Sequence, residues 1–453
     1  MPKYYDTIHL YSGLIWLLII LSIGYYRYYR NRRLPHYKFY MYNLGIKLLF
    51  GTLFGVYYTT VIDGGDTAAY WEGATTLNNL FVISPSDFIT EMFHSGQSES
   101  WTGLFNNNTG YPPGWIYREP EGWFISKIAS FFSLITFKSY WAATFLFGYI
   151  FAQASWRVFE LALSFKLNKP VYSAIAFLFL PSVSFWCATI SKDAVVLTAT
   201  FYLVYHLFQI LTIERRSTVT NWIVSFICLY LILQTRSVVL LAILAPVLFA
   251  ITARLRKKYK NRPFISNSLA LITIAIGILG MFVVMRTQSD VMQGYMTEAA
   301  VVQQDFINNA TYGNNRYDLG ITDYSPTGMI KAIPASILAG TLRPYPWEAL
   351  SVSLILNGLE SAFFMFLLVR FLFSKGLKER IKAIQQSEFL MYSFYFMLIM
   401  AFMAGFTGII FGVLVRFKAS ALPFLVLVLS VELKKSKKQK DQKSNNLESA
   451  RVL

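Results

Sequence analysis

Long, uninterrupted apolar runs constrain this chain more than any other feature. Eleven stretches qualify, at about 8–26, 39–61, 139–156, 170–190, 194–212, 220–235, 238–253, 264–285, 349–373, 389–412 and 417–432. A helix rises about 1.5 Å per residue and a bilayer core is about 30 Å thick, so runs near 20 residues read as membrane-crossing helices. The run 220–235 is short for such a core. Lipid admits only structures that satisfy every backbone group internally, which leaves helices and closed barrels. Barrel strands alternate apolar and polar residues, whereas these runs are continuous. The expected fold class is therefore all-α, a polytopic integral membrane protein with about eleven transmembrane helices. Composition agrees: 55% of the 453 residues are hydrophobic and 14% charged, against about a quarter charged in soluble domains. Cys187 and Cys228 both lie inside apolar runs and read as buried thiols, with neither a disulfide framework nor metal-ligand spacing. The first run has no basic stretch ahead of it and no small-residue cleavage site after it, so no cleavable signal peptide is expected.

A net charge of +17 raises the question of nucleic acid, and its placement answers it. Lys and Arg gather in the connections 27–38, 157–169, 214–216, 254–262 and 375–382, and in the tail from Lys434. Basic loops of membrane proteins face the cytoplasm. Two apolar runs separate each basic connection from the next, so all of them fall on one side. The side they share carries 27 of the 41 Lys and Arg but 7 of the 24 Asp and Glu. The surplus is a positive-inside signature, and no nucleic-acid partner is expected. The same parity predicts an N-terminus outside and a C-terminus in the cytoplasm. Trp123–Phe137, apolar but short and interrupted by Lys127, is expected to lie on the outer surface as a helix. Residues 1–433 form one membrane domain in this reading. The tail 434–453 is basic and poor in apolar residues, hence expected to be disordered and near anionic headgroups.

Two outer segments are long, about 62–138 and 286–348. The first opens with Asp63-Gly64-Gly65-Asp66-Thr67-Ala68-Ala69-Tyr70-Trp71-Glu72, directly after the second span. Glycines reach backbone angles closed to other residues, so Asp63 and Asp66 can turn toward one point, with Glu72 six residues on. This suits a general base, or a divalent cation such as Mg or Mn held by the oxygens of Asp63 and Asp66. The simpler alternative is an N-cap, a role Asp commonly plays before a helix.

Further charges fall on the outer side, where bases are disfavoured. Lys192 and Asp193 occupy the short turn after 170–190: either Lys192 binds a phosphate or Asp193 binds substrate, or else Asp193 caps the next helix and Lys192 reaches headgroups. Arg236 lies between 220–235 and 238–253. Arg343 and Glu348 flank Pro344-Tyr345-Pro346-Trp347, and Arg416 and Lys418 open the last run. A lipid-borne phosphate at the interface calls for such Arg and Lys; salt bridges or snorkelling are the alternatives. Tyr111, Trp115, Tyr345 and Trp347 are candidate sugar contacts, although interfacial anchoring is the commoner role of such rings. Inside the membrane, Lys47 and Glu360 sit at about 12 Å and about 16 Å from opposite faces, so they are expected to pair or to form a proton relay.

These stretches together resemble the GT-C superfamily of membrane glycosyltransferases, which use polyprenyl-phosphate-linked sugars. The likeness rests on an acidic outer loop after a span (Asp63, Asp66), a Tyr111-Pro112-Pro113 element, the surface helix near 121–137 and Arg416-Phe417-Lys418 with Pro423. The last is similar to an Arg-Tyr…Pro element of such proteins and of O-antigen polymerases. Phe185-Trp186-Cys187, Ser191-Lys192-Asp193 and Arg343-Pro344-Tyr345-Pro346-Trp347-Glu348 resemble stretches in Bacteroidetes envelope proteins of this type. It departs from the family's pattern in that the acidic loop follows the second span and reads Asp-Gly-Gly-Asp.

The resemblance implies sugar transfer from a polyprenyl-phosphate donor to a glycan, lipid or protein acceptor at the outer face. Asp66 or Asp63 would serve as base, and Arg236, Arg416 and Lys418 would hold the phosphate. Lys192, Asp193, Arg343, Glu348, Glu72 and Tyr111 complete the expected substrate contacts. A polymerase of lipid-linked polysaccharide would need the same basic cavity. A flippase of lipid-linked or polyanionic cargo would instead need polar groups through the whole core, and a non-catalytic scaffold would need none of these charges.

Overall fold

The computed structural model describes residues 4–94, 101–166, 169–211, 218–259, 326–348, 352–374, 376–408 and 410–432, with isolated positions between 261 and 319. Among the described residues there is no strand, and an isolated bridge joins Arg316 to Ile410. In chain order the principal helices are α1 (Thr7–Asn31), α2 (Tyr40–Val56), α3 (Asp66–Ile83), α4 (Pro120–Ile135), α5 (Tyr140–Ser164), α6 (Pro181–Cys187), α7 (Lys192–Leu211), α8 (Val219–Lys258), α9 (Pro326–Leu342), α10 (Val352–Phe373), α11 (Glu388–Thr407), α12 (Phe411–Lys418) and α13 (Leu422–Leu429).

Eight helical stretches among the described residues are long and apolar enough to cross a membrane: Thr7–Asn31, Pro35–Val61, Pro170–Cys187, Lys192–Leu211, Val219–Arg236, Val238–Arg256, Leu354–Phe373 and Glu388–Thr407. They fall where eight of the eleven apolar runs are. The chain is thus a membrane protein by the character of its helices. Helix α1 shows why: Ile8, Leu14, Ile15, Leu18 and Ile23 are all exposed, a surface that water disfavours.

The remaining three runs differ. That at 139–156 is α5, whose 25 residues are long enough but whose side chains are buried along nearly the whole length. A helix packed by protein need not be apolar toward lipid, and Gln153 and Thr144 sit inside it. The last run is not one straight helix. It is α12 and α13, bent by 63° at Ala419–Ala421, with Pro423 starting the second piece, where its missing N–H costs nothing. Most of 264–285 lies outside the described residues, as do 281–315, Arg215, Arg216 and the tail from 433.

The second long segment is not a loop throughout. Its described part contains α9, which packs along α11 through small residues. A Cβ on Gly340 would collide with the Ala401 carbonyl, and one on Gly405 with the Ser336 carbonyl. Small residues four apart on both helices let the backbones touch, as in many membrane helix pairs. The sequence reading overlooked α9 because Pro326, Gly328 and Pro334 interrupt its pattern.

Helix α8 reverses direction in its middle. Arg236 is extended there, with φ −157° and ψ 80°. Before the break Asn221 bonds His206, well along α7; at the break Arg236 meets Asp193 at the start of α7; after it Phe249 stacks on Tyr395 near the start of α11. The starts of α3, α4 and α7, the α8 break and the end of α12 thereby share one end of the bundle. The helix Pro170–Cys187 is also interrupted, changing from a π-turn at 175–179 to α6 across extended Leu180.

Candidate functional site

The site begins where the second span ends. After a π-helical turn at Tyr57–Val61, Asp63, Gly64 and Gly65 all have positive φ, at 53°, 149° and 82°. Such angles suit glycine and strain other residues. At Gly65 an added Cβ would also sit 2.9 Å from the Tyr58 ring. This turn delivers Asp66 as the first residue of α3, where a negative charge meets the helix's positive end. Gly65 is the N-cap, so Asp66 does not cap α3. Its Oδ2 accepts from Arg416 Nη1 at 3.0 Å, across 350 residues of chain.

Asp193 is placed by a similar division of labour. Ser191, not Asp193, caps α7: its Oγ accepts from the Ala194 N–H at 3.0 Å. That leaves the Asp193 carboxylate to take two guanidiniums, Arg236 Nη1 at 2.8 Å on Oδ1 and Arg416 Nε at 2.9 Å on Oδ2. Arg236 reaches there from the break in α8, with its guanidinium 4.2 Å over the Phe417 ring. Arg416 ends α12, where a cation offsets the helix's negative end, and lies over Trp186 at 5.6 Å.

Lys192, beside Asp193, turns the other way and pairs with Glu119; Glu121 stands 3.6 Å from it. Glu119 is the N-cap of α4 and Pro120 its first residue. A cleft of about 270 Å³ lies among these groups, lined by Asp66, Tyr70, Trp115, Glu119, Lys192, Arg236, Val413, Arg416 and Phe417. Tyr70 stands one turn beyond Asp66 on the same face of α3. Burial first, and then the Asp66 carboxylate, push its phenol above the ordinary range, so it remains a neutral hydroxyl. Burial also raises Glu121, against the opposing pull of Lys192 and Arg236.

No family model matches this chain, and neither does any curated protein or solved structure. The site's chemistry is therefore read from its own side chains.

Of the residues singled out by sequence, Asp66, Lys192, Arg236 and Arg416 line the cleft, and Asp193 lies behind it holding both arginines. Trp115 also faces it. Glu119 and Glu121 escaped the sequence reading; the signal was an acid on each side of a helix-starting proline in Arg118-Glu119-Pro120-Glu121.

The other candidates lie elsewhere. Asp63 is exposed, and Asp63, Glu72 and Tyr111 do not line the cleft. Arg343 and Glu348 face each other at 3.5 Å, with Arg343 over the Tyr317 ring. Lys418 is 1% exposed; its Nζ donates to the Arg343 carbonyl at 2.7 Å and to Ser361 Oγ at 3.3 Å. It interacts with Glu360 rather than lining the cleft, because two residues on from Arg416 it lies about 200° around α12.

A resident cation is not favoured by these donors. Asp66 already accepts from Arg416, Asp63 is exposed and does not line the cleft, and no group of three or more His, Cys, Asp or Glu among the described residues is arranged to hold a metal.

The expected pairing of Lys47 with Glu360 does not form. Lys47 donates to the Leu178 carbonyl at 3.0 Å and to Ser184 Oγ at 2.7 Å. Glu360 instead approaches the Ser182 N–H at 3.4 Å and faces Lys418. Depth alone made them partners; α6 provides each with a different serine.

Proposed function

We propose that this chain is a membrane glycosyltransferase of GT-C-like arrangement, moving a sugar from a polyprenyl-phosphate donor to an acceptor hydroxyl at the outer face of the bacterial inner membrane. The observation that carries the reading is the meeting of Asp66 with Arg416 and Arg236 in one cleft, at one end of a bundle of apolar helices. A guanidinium fork matches phosphate oxygens. The rings of Trp115, Tyr70 and Phe417 offer faces to a sugar.

In the transfer, the acceptor oxygen bonds to the anomeric carbon and the carbon–oxygen bond to phosphate breaks. The bonding pair leaves with the phosphate, and the hydroxyl proton passes to Asp66. Arg416 and Arg236 stabilise the charge that develops on the leaving phosphate. Holding donor and acceptor in one cleft supplies much of the acceleration. Lys192, Glu119 and Trp115 line the remaining wall and contact the acceptor, which is a glycan, lipid or protein hydroxyl.

A second reading, transport of a lipid-linked or polyanionic cargo, is favoured by one observation. Lys47 with Ser184, and Glu360 with Lys418, put charge deep in the bundle. Proteoliposomes loaded with radiolabelled polyprenyl-phosphate sugar and candidate acceptors separate the two. A new glycosidic product supports transfer; label crossing the bilayer without a new bond supports transport.

A further inference from the structure

Arg416 holds two carboxylates that are very unequally fixed. The Asp193 side chain is 4% exposed and tied to two guanidiniums, whereas the Asp66 side chain is 37% exposed and opens on the cleft. Removing Asp193 from its arginines would strand charge in the interior, which is costly. Releasing Asp66 would pass a carboxylate to solvent, which costs little. The charges agree with this division. Asp193, Arg236 and Arg416 together leave one positive charge facing the cleft, and Asp66 cancels it.

We propose that a phosphate group binds Arg416 by taking the place of Asp66, so that filling the anion site sets the Asp66 carboxylate free. The ligand class is a phosphate or diphosphate, whether on a lipid headgroup or free in solution. The guanidinium can offer a phosphate two parallel N–H bonds where it gives Asp66 one. For Asp66 the consequence is chemical. A carboxylate oxygen held by a guanidinium is already occupied, and one released from it is open to accept from a hydroxyl. The donor phosphate thus binds first and switches on the base that the acceptor meets second. This last step rests on the transferase reading; the competition between phosphate and Asp66 does not.

The test is calorimetric titration of the purified full chain in detergent with two probes, citronellyl phosphate and inorganic pyrophosphate. Asp66→Asn removes the competitor, so phosphate affinity rises about twofold to fivefold, the size of a half-exposed ion pair. Arg416→Lys, which loses the guanidinium fork, or Arg236→Gln should the former not fold, weakens it about tenfold or more. Preference for the prenyl probe identifies a lipid headgroup, and equal binding identifies the phosphate group itself; in either arm the proposal stands if Asp66→Asn tightens binding. Unchanged or weaker binding by Asp66→Asn, with wild type binding normally, overturns the displacement and leaves the transferase reading intact. Absence of binding by wild type to both probes overturns both.

Discussion

Arg416 donates from Nε to Oδ2 of Asp193 at 2.9 Å, joining residues 223 apart in the chain. Asp193 takes Arg236 on its other oxygen. One buried carboxylate therefore ties the start of α7, the break in α8 and the end of α12 together, and aims two guanidiniums at the cleft.

Asp193→Ala should accordingly destabilise the protein by about 3 kcal/mol, the range for removing one partner of a buried charge network. Thermal unfolding in detergent measures this. A loss within 0.5 kcal/mol would mean that the two arginines are held by something else.

Asp63 and Asp66 are separated by two residues but differ in placement, one exposed and one bonded to Arg416. Asp63→Asn should therefore keep transfer within about threefold of wild type, since surface substitutions away from a site rarely cost more than about 0.5 kcal/mol. Abolished transfer in a folded Asp63→Asn protein would move the base to Asp63.

Glu360 and Lys418 face each other, and Lys47 sits with Ser184. Glu360→Gln and Lys418→Met should show a coupling of about 1 kcal/mol or more in a double-mutant cycle. Glu360→Gln and Lys47→Met should add within about 0.5 kcal/mol. The reverse pattern would restore the pairing expected from depth alone.

The contact between α9 and α11 depends on glycine. Gly340→Ala and Gly405→Ala each place a methyl against a backbone carbonyl and should cost about 1–3 kcal/mol, as overpacking does. Gly45, which has open space around its Cβ position, is the control, and Gly45→Ala should not destabilise. Equal stability of all three variants would contradict the close approach.

Glu91, in the helix Pro85–Phe93 outside the membrane-spanning helices, accepts from Trp123 Nε1 at 2.8 Å. Burial pushes its carboxyl above the ordinary value, outweighing Trp123 and Lys127. The folded protein then binds more protons than the unfolded chain, so stability falls as pH rises from the ordinary carboxylate pKa through the raised one. Glu91→Gln should keep the Trp123 bond and remove this decline, seen as a flatter melting temperature as pH rises above the ordinary carboxylate range. Parallel profiles for the two proteins would refute it.

Much of the fold was legible in the sequence, because lipid imposes a length and an apolar character on each crossing. Where protein replaces lipid around a helix, that signal fades: α5 carries Gln153 and is buried by its neighbours, and α9 carries Pro334 yet packs closely on α11. In the site, Asp66, Asp193, Arg236 and Arg416 could be singled out because each is a charge set against an apolar run, away from the basic connections. What sequence did not carry was pairing. Whether Asp193 caps a helix or binds arginine depends on Ser191 taking the cap, and Lys418 misses the cleft because two residues along α12 put it on the face opposite Arg416. Glu119 and Glu121 looked like ordinary loop acids until α7 brought Lys192 to them.

The most direct test is the rate of sugar transfer by folded, membrane-inserted Asp66→Asn protein, measured with radiolabelled polyprenyl-phosphate sugar beside wild type. Loss of a general base predicts a fall of about 10²- to 10⁴-fold. Transfer at the wild-type rate would contradict the role given to Asp66 and to the cleft it shares with Arg416.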